Sequence, residues 1–116
     1  MAHELPKTVA TVLIGASEII RKRGWCRGTL INDEGEVCLL SAIFIASTGM
    51  PAECFYSQKD HDELTVRAWG VVEDLLNARN DGFGTLTIPG WNDMPSRVVG
   101  DVYQILDDAV SVALFA

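Results

Sequence analysis

Apolar residues fall at Val9, Val12, Leu13, Ala16, Ile19 and Ile20, the i, i+3, i+4, i+7 spacing of an amphipathic helix. Pro6 suits an early helical position. Arg21-Lys22-Arg23-Gly24 supplies a stop, with cations at the negative end of the helix dipole followed by a glycine free to turn left-handed. Residues 25–38 break the period: two short apolar runs flank the polar tetrad Asn32-Asp33-Glu34-Gly35. This predicts a small β-hairpin whose turn uses a positive φ at Gly35.

From Cys38 to Ser47 the chain is apolar almost all round, and Ser41, the alanines and the closing Gly49 favour a buried central helix over a strand. Residues 50–59 read as a connecting loop. A third helix, capped by Asp60 or Asp62, carries Leu64, Ala68, Trp69, Val72, Leu75 and Leu76 up to Arg79, and Asn80-Asp81-Gly82 ends it. Glycines and a proline punctuate residues 83–92, which predicts an extended segment or one short strand. The last helix holds Val99, Val102, Ile105, Leu106, Ala109 and Val110, and apolar residues continue through Phe115, so the tail is expected to pack. The expected fold is mostly α (α+β): four helices around a central buried helix, with one small hairpin, in a single domain spanning residues 1–116.

Composition narrows the class. A chain of 116 residues, 48% apolar and 22% charged, is long enough to close a core without disulfides or metal and too ordinary in composition to be disordered. Its net charge of −7 and pI near 4.6 set it against nucleic acid and anionic membrane. No apolar run is long enough to span a bilayer, and the first residues lack the pattern of a secretory signal. Three cysteines, Cys26, Cys38 and Cys54, cannot all pair and fit a reducing cytoplasm.

A set of landmarks follows the chain: Arg23-Gly24-Trp25-Cys26-Arg27-Gly28, an Asp33-Glu34-Gly35 turn, Cys38-Leu39-Leu40-Ser41-Ala42, and Trp91-Asn92-Asp93-Met94-Pro95-Ser96-Arg97 before the last helix. Together they resemble a family of small uncharacterised proteins of actinobacteria and their phages. The resemblance covers about residues 8–108, and Trp-Asn-Asp-x-Pro-x-Arg is its most specific part. It implies this fold and a bacterial or phage source, and no reaction, cofactor or substrate. Two positions depart from the pattern: Ser41 stands where the family has glycine, and Val98 where a capping threonine precedes the last helix, leaving Ser96 or Asp93 to cap it.

The chemistry-bearing residues are few. Trp91, Asn92, Asp93 and Arg97, with Trp25, form the candidate binding surface. Their plainer reading is structural: Asp93 as a cap, Pro95 in the first helical turn, Arg97 in an ion pair, and Trp25 sealing the first helix. Cys38 at a helix start is the candidate nucleophile, because the dipole and free N–H groups can lower a thiol pKa. Its only candidate base outside the terminal His3 is His61, between Asp60 and Asp62, and no hydrolase signature surrounds either residue. Cys26, Cys38, Cys54, His3, His61 and the acids at 60, 62 and 63 lack metal-ligand spacing. Gly82-Phe83-Gly84 lacks the context of a phosphate loop. No metal and no cofactor are expected.

Charge is unevenly placed. Residues 1–27 carry five cations against two acids, and residues 28–116 four against fourteen. Arg21, Lys22, Arg23 and Arg27 are expected to complete a helix end and pair with the acidic remainder. The functional expectation is a cytoplasmic protein-binding or regulatory accessory protein that engages a protein partner through an acidic face, with Val110 to Phe115 available for a homodimer. The alternative is a Cys38-dependent enzyme.

Overall fold

The computed structural model describes residues 7–57, 61–79 and 86–115. Five α-helices lie among them: α1 Val9–Arg23, α2 Leu39–Thr48, α3 Glu63–Ala78, α4 Ile88–Asn92 and α5 Val99–Phe115, with a 3-10 turn at Ala52–Cys54 between α2 and α3. The expected roles of Pro6, Asp60, Asn80-Asp81-Gly82 and residues 83–85 lie outside the described residues.

Helix α1 starts on Thr8, whose hydroxyl accepts from the Thr11 N–H while the Thr11 hydroxyl accepts from the Thr8 N–H, a reciprocal cap. It ends at Gly24, whose N–H donates to the Ile20 carbonyl. Gly24 has φ 91° and ψ 165°, a positive φ but not the left-handed helical conformation expected there. A side chain at this position would press on Glu36, whose Cγ would lie 3.0 Å from an added Cβ.

Helix α2 is the buried centre. Leu39, Ala42, Ile43 and Phe44 are fully enclosed, each large side chain contributing about 2 kcal/mol through the surface it removes from water. Gly15 lets α1 approach closely, since a Cβ there would lie 3.3 Å from that of Ala46. α2 also packs against α3 and α4, and Gly49 closes it in the left-handed conformation. Asp62 caps α3 by accepting from the Thr65 N–H. α5 packs on α1 and α3. Arg21 lies over the Tyr103 ring, while Ile14 and Val110 line one cavity, so α1 and α5 run antiparallel. A continuous cluster from Val12 and Leu13 through Val72 and Trp91 to Leu106 forms the core.

The end of the tail, expected to pack, does not, Leu114 being 61% and Phe115 89% exposed, and two expectations of local structure are corrected. The small β-hairpin does not form among the described residues. Only isolated bridges occur, Trp25 with Val37 in parallel and Ile31 with Val37 antiparallel, so the segment crosses Val37 twice as a folded loop. Gly35 does supply a positive φ, at 82°. Second, residues 88–92 are helical where an extended segment was expected, which raises the helix count from four to five. Thr87 caps this turn by accepting from the Gly90 N–H, and Pro89 sits in its first turn, where its missing N–H costs nothing and its fixed φ helps.

Candidate functional site

The Trp-Asn-Asp landmark occupies the end of α4, and Asn92 is its centre. This side chain is fully buried and every polar atom on it is used. Its Oδ1 accepts from Trp25 Nε1 at 2.7 Å and from the Leu39 N–H at 3.0 Å. Its Nδ2 donates to the Cys26 carbonyl at 3.1 Å and to Asp93 Oδ1 at 2.9 Å. Asp93 Oδ1 in turn accepts from the Gly28 N–H at 2.9 Å. One asparagine therefore ties α4 to the first turn of α2 and to the loop after α1, satisfying donors that a buried helix start would otherwise leave bare.

The expectation that Asp93 caps the last helix, with Pro95 in its first turn, is corrected. Asp93 turns to Gly28, and α5 begins only at Val99. Neither Asp93 nor Ser96 caps α5. The Val98 N–H donates to Asp101 Oδ2 at 3.1 Å, which is half of a capping box, and a valine at position 98 offers no hydroxyl for the other half. Arg97 lies over the Trp91 ring at 4.0 Å, donates to the Trp91 carbonyl at 3.1 Å, and sits 3.8 Å from Asp101.

Three cavities surround this hub. Trp91, Met94, Arg97, Asp101 and Gln104 line one of about 440 Å³ beside α3. Cys38, Asp93, Gly28 and Tyr56 line a smaller one of about 210 Å³. The third, about 480 Å³, is a groove between the end of α1 and the start of α5, bounded by Arg21, Trp25, Arg27, Val98, Val99 and Tyr103. Trp25 is half-buried and Trp91 almost wholly buried, so the predicted binding residues divide between core and cavity wall. Arg27 lies over the Trp25 ring at 4.8 Å and donates to the Arg97 carbonyl, and Arg21 lies over Tyr103 at 4.9 Å.

The expected pairing of the basic cluster with the acidic remainder is not found. Among the described residues the ion pairs are Arg79 with Asp108 at 2.8 Å and Arg97 with Asp101. Arg21, Lys22, Arg23 and Arg27 have none.

Cys38 caps α2, its Sγ accepting from the Ser41 N–H at 3.4 Å. Burial pushes this thiol up, outweighing the N–H groups that act in the opposite direction. Burial, with Cys38 and Glu36 nearby, also raises Cys26 from 9.0 to about 11, and its Sγ donates to the Glu36 carbonyl. His61 packs against the rings of Phe44, Phe55 and Trp69, and its Nδ1 is buried without a partner. Among the described residues no hydrogen bond joins Cys38 to His61: the thiol accepts from the Ser41 N–H, and the imidazole packs on those rings. Among the described residues, no three His, Cys, Asp or Glu side chains come together as a metal site requires, and no helix is long and apolar enough to cross a membrane.

Sequence reasoning named the basic cluster and Trp25, and missed Val98, Val99 and Tyr103 as the facing wall.

Fold and site together define a small helical protein whose Trp-Asn-Asp turn fastens a loop to a buried central helix. The chain belongs to a family of unknown function, DUF6197, whose profile matches residues 4–112. Comparison with curated proteins and with solved structures found no match.

Proposed function

We propose that the chain is a non-catalytic protein-binding accessory protein, acting in the cytoplasm of an actinobacterium or of a cell infected by its phage. The observation that carries this reading is the groove between α1 and α5. Exposed valines and half-buried aromatic rings line it together with Arg21 and Arg27, neither of which is in an ion pair among the described residues. Apolar surface rimmed by charge is the usual anatomy of a protein interface.

Affinity capture tests it. The immobilised chain is exposed to actinobacterial lysate at low and physiological salt, and retained proteins are identified by mass spectrometry. A specific, salt-sensitive protein is expected; retention of none at either salt overturns the reading. Val98→Asp is the suitable contrast, because Val98 is exposed whereas Trp91 belongs to the core.

A further inference from the structure

Within the groove, the two arginines are placed for carboxylates. A guanidinium resting on a ring keeps one face against the π-system and presents its N–H edge outward, the geometry that meets a carboxylate in two parallel bonds. Arg21 lies over Tyr103 and Arg27 over Trp25, both lining the recess; one amino group of Arg27 is taken by the Arg97 carbonyl, and its remaining N–H groups and those of Arg21 are left for a ligand. Between them Val98 is 57% and Val99 38% exposed, a floor that water covers poorly. The one acid on the groove wall, Glu36, is engaged by Asn32 Nδ2 at 2.7 Å. Lys22 and Arg23 extend the positive patch along the end of α1.

We propose that this groove docks a short acidic, amphipathic segment of another protein, with aspartate or glutamate flanking a bulky apolar side chain. The inference rests on the protein-binding reading and names the site and the partner chemistry. The carboxylates meet Arg21 and Arg27, and the apolar side chain lies on Trp25, Val98 and Val99. Charge complementarity selects the occupant. The basic patch is small and lies in a chain of net charge −7, so a long polyanion such as nucleic acid would run from it onto acidic surface, whereas a short segment ends within it. A phosphate backbone would also leave the valines unused.

The probe is the synthetic peptide Asp-Glu-Phe-Leu-Glu-Asp, added to the full chain and followed by NMR at the Trp25 indole and the Val98 and Val99 methyls. Saturable shifts are expected at these three residues. Binding should weaken as salt rises, and should fall at least about tenfold in Arg21→Glu/Arg27→Glu. Val98→Asp, a change at an exposed position, provides a second route to the same loss should the double variant misfold. Absence of shifts at millimolar peptide overturns the proposal. Equal binding by Asp-Glu-Ser-Ser-Glu-Asp, tighter binding by a short thymidine oligonucleotide, or the same shifts produced by concentrating the protein alone also overturn it, the last because the groove would then hold a second copy. Lysate capture that survives both variants overturns this site and leaves the protein-binding reading standing; failure of capture and peptide together overturns both.

Discussion

Asn92 and the groove beside it share the loop after α1, and they use polar groups in opposite ways. At Asn92 four hydrogen bonds leave no atom of the side-chain amide free, and the residue is wholly enclosed. In the groove, Arg21 and Arg27 rest on rings and, among the described residues, neither is in an ion pair, with one amino group of Arg27 on the Arg97 carbonyl. A saturated cluster fixes geometry and has nothing left to offer a ligand, whereas an unsaturated one retains bonding capacity. The most specific sequence landmark is therefore the scaffold, and the proposed docking groove lies next to it.

The sharpest way to break this contrast is Asn92→Ala. It strips partners from the Leu39 N–H, the Trp25 indole N–H and the Cys26 carbonyl at once, and should cost about 4 kcal/mol in chemical denaturation. A loss near zero would make the hub dispensable. Alkaline titration tests the same region next. The folded state holds Cys26 protonated up to about pH 11, while the unfolded chain releases that proton at the ordinary value, so folded stability is complete below pH 9 and declines as pH rises towards 11. Urea midpoints across that range should fall in the parent and stay flatter in Cys26→Ala.

Ser41 is a smaller exception to saturation. Its hydroxyl is buried in α2 without a hydrogen-bond partner, so Ser41→Ala should stabilise by about 1 kcal/mol through removal of an unmet polar group. A lower melting temperature would show that the hydroxyl does find a partner. Arg21→Glu/Arg27→Glu gives up two exposed ring contacts and the Arg27 bond to the Arg97 carbonyl and should cost about 1 kcal/mol; a loss several times larger in its thermal melt would reassign these arginines to the scaffold. Val98→Thr supplies the missing half of the α5 cap and should add about 0.5 kcal/mol.

The helices α1, α2, α3 and α5 were legible because each buries one face, or in α2 all faces, and burial writes its period into the sequence. Asp62, Cys38 and Gly49 were legible as ends for the same local reason. The loop at 24–38 misled because apolar runs around a polar tetrad are written alike whether they pair as a ladder or are held by another segment's side chain. Asn92 lies 53 residues from Leu39 and 67 from Trp25, and no local pattern records such a bond. α4 escaped because five residues are too few to show a period, although Thr87 and Pro89 mark its start. Of the site, Trp25 and the cations were visible, but the wall of Val98, Val99 and Tyr103 comes from the far end of the chain.

That loop is closed on itself by isolated bridges and tied to its surroundings by the side chains of Asn92 and Asp93 and by the Arg27 bond to the Arg97 carbonyl, with no ladder of its own among the described residues. It therefore cannot fray strand by strand. Release of the Asn92 and Asp93 side chains together frees Gly28, Leu39 and the Trp25 indole in one event, so their exchange with solvent hydrogen should share a single opening free energy. The groove, which borrows Trp25 and Arg27 from that loop, would persist only as long as this latch stays closed.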